Sequence, residues 1–243
     1  MNMICNFAVA VAAVLSCGTG VTSANTGVEA PVMNAFGVKR VGREVNVKYF
    51  SRIEIKGSTD VVFRQTSGGR PQVKVVGNRE DVERVKVSSD GKTLYVSEAS
   101  SHGGWHFFSG GDEVKVYVSA PDLTAVSITG SADFDADGKV DTDNLSVVVR
   151  GSGDVEMKNV ICDNASVQVV GSGDVEIKNL VAQRRADISV KGSGDVKIGF
   201  TRTGHVACAV YGSGDVELKG RVKSLKKLVK GSGDIDTEKL KRW

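Results

Sequence analysis

The chain is short of the residues from which reactive sites and staples are built. Only three histidines are present, His102, His106 and His205. The first two share one loop with no third ligand beside them, which does not make a zinc site. Four cysteines occur, and two of them, Cys5 and Cys17, fall at the N-terminus. The remaining pair, Cys162 and Cys208, is too little for oxidative stapling. Charge of one sign is not in excess either: 32 Lys and Arg stand against 29 Asp and Glu, for a net charge of +3. Nothing in that balance demands a nucleic-acid or membrane partner. No apolar run is long enough to span a bilayer as a helix. The longest candidate, Phe7 to Ser16, has the length of the apolar core of a secretory signal, although Met1 to Asn6 carries no Lys or Arg.

Two processing routes fit that leader, residues 1–24. Val14-Leu15-Ser16-Cys17-Gly18 resembles a bacterial lipobox with Cys17 as the lipidated residue, while Thr22-Ser23-Ala24 offers small residues to an ordinary signal peptidase. A single lipid chain anchors only marginally. Residues 25–44 read as a flexible, polar tether, and strand pattern begins near Val45. With 40% hydrophobic and 25% charged residues, the remainder suits one soluble domain or one elongated domain with an accessory lobe.

What is abundant is one phrase. Gly-Ser-Gly-Asp, or Gly-Ser-Ala-Asp in the first case, opens at Gly130, Gly151, Gly171, Gly192, Gly212 and Gly231, at intervals of 21, 20, 21, 20 and 19 residues. A fixed period of this size marks a solenoid, in which each repeat covers its neighbour's apolar face. Two residues before each glycine stand Ile128, Val149, Val169, Val190, Val210 and Val229. Beyond the phrase the alternation resumes with Phe134, Val155, Val175, Val196, Val216 and Ile235. Alternating β-branched residues predict strands with one buried face. About twenty residues are too few for a strand–helix–strand unit. The expected fold is therefore all-β: a right-handed parallel β-helix with coils of about 20 residues, each holding two short strands and a polar corner such as Lys158-Asn159. Ile53 to Phe63 is a seventh, degenerate copy, 73 residues ahead of Gly130.

Between the two copies, Gln72–Val76, Val82–Val87, Thr93–Ser97 and Val114–Ser119 read as further strands, with turn chemistry at Ser89-Asp90-Gly91. Residues 45–129 are expected to form a less regular, partly antiparallel β region closing the first end of the tube, and residues 130–243 the regular β-helix. At the other end Lys227 replaces the usual apolar residue, and Lys219 to Lys230 is rich in lysine and arginine. That basic terminus reads as a cap against further strand addition. A patch for an acidic glycan or nucleic acid is the alternative.

Three features bear on function. The loop from Ser100 to Gly111 concentrates Trp105, Phe107 and Phe108 among glycines, a typical anchor for a partner or a sugar, or else a flap over the core end. The aspartates Asp133, Asp154, Asp174, Asp195, Asp215 and Asp234 would stack as a row of carboxylates on the outside of the coil. Their mutual repulsion requires compensation. Calcium held by Asp154, Asp174, Asp195 and Asp215 is one answer. Local hydrogen bonds from Ser hydroxyls and glycine N–H groups are the other, and the preferred one. Catalysis finds no support: the aspartates repeat with the coil, whereas a glycosidase needs two carboxyls in unlike environments. The phrase is neither a nucleophile elbow nor a phosphate loop. Cys208 falls in a core column and reads as a small buried hydrophobe.

Ile53-Glu54-Ile55-Lys56-Gly57-Ser58-Thr59-Asp60-Val61, Val114-Lys115-Val116-Tyr117-Val118-Ser119-Ala120-Pro121-Asp122-Leu123 and the Gly-Ser-Gly-Asp-Val repeats together resemble the GIN head-domain family of putative auto-transporter adhesins. The resemblance runs from about Phe50 to the C-terminus. It implies a β-helical fold and an exported protein, secreted or lipid-anchored in the cell envelope, and offers no catalytic residues. The function expected is non-enzymatic binding of a surface glycan or protein. A structural or periplasmic scaffold with a protein partner is the alternative, and a polysaccharide-active enzyme the remote one.

Overall fold

A computed structural model describes residues 32–33, 39–99 and 114–243. Every described strand joins one continuous sheet that winds into a β-solenoid. The degenerate copy forms the first coil with β3 (Arg52–Gly57) and β4 (Asp60–Gln65). The chain then leaves the tube and returns as β9 (Ala125–Gly130) and β10 (Phe134–Asp141), which pair in parallel with β3 and β4. The remaining coils follow as β11 (Asn144–Gly151), β12 (Val155–Gly171), β13 (Val175–Gly192), β14 (Val196–Gly212) and β15 (Val216–Gly231). Short β16 (Ile235–Asp236) and β17 (Leu240–Arg242) lie on β15. About six coils stack in parallel register at the usual strand spacing of about 4.8 Å.

The columns read from the sequence are the core ladders. Ile55, Ile128, Val149, Val169, Val190, Val210 and Val229 stand in register, one per coil. Val61, Phe134, Val155, Val175, Val196, Val216 and Ile235 form a second column. From Ile55 to Val210 the first column is at most 1% exposed. Each such residue contributes roughly 1.5–3 kcal/mol of burial. Phe63 stacks on Phe134 with ring centroids 6.2 Å apart between the first two coils.

The coils are more continuous than two short strands and a corner. β12 to β15 each run without a break through the expected polar corner, with register shifts at Cys162/Asn164, Ile177/Leu180 and Phe200/Thr203. Between β12 and β13 the corner keeps its pairing and its polar residues stack on one another. Asn159 pairs with Asn179, and the Asn179 amide donates to Asn159 Oδ1 at 3.1 Å.

The first end is closed by a mixed sheet. β7 (Thr93–Glu98) pairs in parallel with β3, and β6 (Val85–Ser89) runs antiparallel to β7. β8 (Lys115–Ala120) pairs in parallel with β4 and antiparallel with β5 (Gln72–Gly77). β2 (Lys39–Val45) and β1 (Val32–Met33) extend that side antiparallel. β2 thus occupies the last residues of the span expected to be a tether. The strand expected over Val82–Val87 is instead α1 (Arg79–Arg84) followed by β6. Asn78 caps the helix by accepting from the Asp81 N–H at 3.0 Å, and Glu80 and Asp81 sit in its first turn. The spacing explains the mistake: Val82 to Val85 is a helical step of three, and only Val85 to Val87 is a strand step of two.

Glycine is required where the coils cross. Gly171 has φ +133°, and a Cβ there would lie 2.2 Å from the Gly151 carbonyl oxygen of the preceding coil. Gly171→Ala is therefore expected to lower stability by about 2–4 kcal/mol. Gly138→Ala meets open space and should change stability by less than about 0.5 kcal/mol. Guanidinium denaturation of the two variants checks the pair; equal midpoints would refute the close-approach argument.

Candidate functional site: the carboxylate ladder and the two ends of the tube

The aspartates do form a ladder, and their partners are not the ones expected. Each carboxylate reaches along the tube axis to the backbone N–H of the next aspartate. Asp133 Oδ1 accepts from Asp154 N–H at 3.1 Å, Asp154 from Asp174 at 2.8 Å, and Asp174 from Asp195 at 2.7 Å. Asp195 accepts from Asp215 and Asp215 from Asp234, both at 2.9 Å. Asp60 begins the series by accepting from Asp133 N–H at 3.0 Å. The preferred sequence reading had Ser hydroxyls and glycine N–H groups as donors. The glycine N–H groups are already used: Ser172 and Gly173 donate to Gly151 O at 2.8 and 3.1 Å, and the same pair of bonds recurs in the following coils. The only amide left for the carboxylate is that of the next aspartate.

Beside the ladder runs a shallow groove of about 210 Å³ lined by Asp154, Glu156, Asp174, Glu176, Asp195 and Lys197. One column of this wall reads Asp135, Glu156, Glu176, Lys197, Glu217 from coil to coil. Lys197 interrupts it, and beside it Lys178 bonds Glu156 while Lys158 bonds Asp137. Asp135 has its carboxyl pushed above the usual range, first by burial and then by Glu156 and Asp137. Among the described residues no group of three or more His, Cys, Asp or Glu is placed to hold a metal ion.

The two cysteines are buried and free, with the thiols pushed up to about 11 for Cys162 and about 12 for Cys208, in each case chiefly by burial. Cys208 stacks on Ile188 in a core column. His205 exchanges a 2.7 Å hydrogen bond with Ser224 on an exposed face. The aromatic loop residues Trp105, Phe107 and Phe108, the histidines His102 and His106, and Cys17 lie outside the described residues. The loop's two anchoring strands are described. β7 and β8, which flank it in sequence, belong to the sheet that closes the first end of the tube.

Each end is finished by a residue that sequence reasoning missed or saw only in part. At the first end Glu98 Oε1 accepts from Ser58 N–H at 3.1 Å, Ser58 Oγ at 2.9 Å and Thr59 Oγ1 at 2.8 Å. In the next coil the corresponding serine N–H, that of Ser131, donates to the Gly57 carbonyl at 3.0 Å. Glu98 supplies the oxygen that a preceding coil would have supplied. At the other end the Lys227 ammonium donates to Ile235 O at 3.2 Å, closing part of the tube's mouth.

With this geometry, comparison with known proteins gives one clear relation. The family described as "Putative auto-transporter adhesin, head GIN domain" matches residues 49–178 and 169–242. The chain belongs to this family. Among solved structures the chain is similar to a putative adhesin from Bacteroides fragilis with a TM-score of 0.64 and 24% identity, over 81% of this chain and 96% of that one. A putative adhesin from Parabacteroides merdae has a TM-score of 0.63 at 16% identity, covering 81% and 96%. A protein titled putative lipid binding protein from Parabacteroides distasonis gives 0.62 at 18%, covering 81% and 95%. At these identities the structures attest the fold. No curated protein matches the chain. The family's description names an adhesin head domain rather than an enzyme, and in this chain the repeated phrase joins each coil to the next.

Two substitutions test that role. Asp174→Asn keeps an oxygen for the Asp195 N–H and removes a like charge from the row, so stability should hold or rise. Asp174→Ala removes the acceptor and should cost about 1 kcal/mol. If denaturation shows the two variants equally destabilised, the hydrogen bond is not the function of the carboxylate.

Asp135 gives a pH test. Its folded value lies above the unfolded one, so the fold disfavours the charged form. The resulting cost is present above the folded value and disappears as pH falls below the unfolded one. Asp135→Asn should raise the denaturation midpoint near about pH 7 and lose that advantage towards about pH 3. A gain that persisted in acid would contradict the electrostatic origin.

Proposed function

We propose that the protein is an exported, non-enzymatic β-solenoid of the cell envelope that binds a glycan or protein on a neighbouring surface. The observation that carries this reading is the attachment of the loop between β7 and β8. Both strands are tied into the sheet at the first end of the tube. In sequence, Trp105, Phe107 and Phe108 stand between these two strands. Aromatics reaching a partner from the end of a stack of coils would suit contact across a gap, because the spacer loses little entropy on binding. The family relation supports export and display. Cys17 as the lipidated residue belongs to the same reading, and the mass of the mature N-terminus separates it from cleavage after Ala24.

Calcium along Asp154, Asp174, Asp195 and Asp215 would add a second route to a ligand, through the carboxylate oxygens not engaged by backbone. Both routes are separated by one experiment. The purified protein is applied to an array of glycans and extracellular-matrix proteins, with and without a calcium chelator, beside the Trp105→Ala variant. A specific signal reduced at least about tenfold by Trp105→Ala and indifferent to chelator is expected. Loss with chelator alone would move the site to the ladder. A blank array would overturn surface adhesion in favour of a scaffold with a protein partner.

A further inference from the structure

The last coil is covered only in part. β16 and β17 lie over Val216–Glu217 and Gly220–Val222. The stretch from Ser224 to Gly231 pairs with β14 on one side, and among the described residues no strand pairs with its other side. Its core residues are consequently open. Val229 is 40% exposed, whereas Val210, one coil earlier in the same column, is fully buried.

This edge presents half of a coil interface. Between coils Ser146 N–H donates to Thr124 O and Ser152 N–H to Gly130 O, both at 2.9 Å. In a parallel ladder alternate residues bond to alternate neighbours. Residues in the Ser146 column, which includes Lys226, face the preceding coil. The backbone groups of Leu225, Lys227 and Val229 therefore face the open side. The phrase that follows is open in the same sense. Gly212 O accepts from Ser232 and Gly233 at 2.9 and 3.0 Å, and Asp215 Oδ1 accepts from Asp234 at 2.9 Å. Gly231 and Asp234 offer the equivalent acceptors to a coil that no described residue provides.

The occupant is narrowed by the ends themselves. Another copy cannot stack head to tail through the phrase, because Glu98 already fills the acceptor position at the first end. Two copies meeting through this edge would oppose their lysines. Lys219 to Lys230 holds six basic residues and no acidic one, and Lys223, Lys226 and Lys230 are exposed. Opposite charges on adjacent strands are favourable and like charges are not.

We propose that the outer edge of β15 docks an extended, acidic segment of a partner protein, which adds as one more parallel strand from Ser224 to Gly231. Strand addition of this kind draws affinity from main-chain hydrogen bonds and specificity from alternate side chains. The segment places apolar residues over Leu225 and Val229, carboxylates over Lys226 and Lys230, and glycine over Gly231. Glycine is needed because a Cβ on Gly231 itself would fall 2.1 Å from Gly212 O, and the added strand meets Gly231 O in the same way.

The test uses the full chain and a fluorescein-labelled synthetic peptide, Thr-Val-Glu-Thr-Ile-Val-Glu-Gly-Ser, which aligns with Ser224 to Ser232. Saturable binding is expected by fluorescence anisotropy. N-methylation of the peptide Ile, whose N–H would donate to Lys227 O, should weaken it about tenfold. N-methylation of the Val that follows, whose N–H would face away, should leave it unchanged. Replacing the peptide Gly by Ala should weaken binding by at least about tenfold, as should Lys226→Glu with Lys230→Glu in the protein, whose fold is checked by circular dichroism. Absence of binding at about 1 mM would overturn the proposal. So would equal binding of both N-methylated peptides or of a scrambled peptide, which would reduce the site to a charged patch. A dimer of the full chain that dissociates on the two lysine substitutions would assign the edge to self-association instead.

Discussion

Everything in this protein depends on the hydrogen bond between one coil's acceptor and the next coil's amide at the glycine-rich turn. The glycine carbonyl takes the serine and second glycine N–H groups, and the aspartate carboxylate takes the next aspartate N–H. At this turn the strand ladder lapses, so its amides would otherwise lie unpaired near the core. The side chain of each aspartate restores the missing rung. Each bond contributes only about 1 kcal/mol net, but neighbouring coils share them, and the stack stands or falls as a nearest-neighbour array.

That arrangement gives the tube a direction. A coil donates backward and accepts forward, so the first coil lacks acceptors and the last lacks donors. Glu98 supplies the first end with a carboxylate oxygen in place of a glycine carbonyl. The last end receives Lys227 and the short strands β16 and β17, which cover part of its mouth. The two ends therefore differ in chemistry: one is closed by Glu98 and the mixed sheet, and the other is basic and partly open.

The long faces between the ends are built for stacking. Their charged residues are paired across coils, as in Lys178 with Glu156 and Arg184 with Asp163. Such exposed pairs contribute little to stability; they neutralise a surface that would otherwise repeat one charge per coil. Repetition also means that stacking places like residues beside like from coil to coil.

The periodicity alone determined the coil, its columns and the glycine positions, because a core ladder admits only apolar residues every second place and a close crossing admits only glycine. Val149, Val169 and Val190 were legible as one column before any coordinates. Membership of the adhesin family was legible from the same phrase. Contacts between residues far apart in sequence were not. The partner of Asp174 is the amide of Asp195, one whole coil away, and it is selected only once stacking has consumed the nearer glycine amides. Glu98 lies 40 residues from Ser58 and carries no local signal of its role. The helix at Arg79–Arg84 also escaped, since three valines at mixed spacing satisfy both periods until Asn78 caps one of them. Local pattern decides what a segment can be; which carboxylate meets which amide, and which edge is left open, is decided by the register of the finished stack.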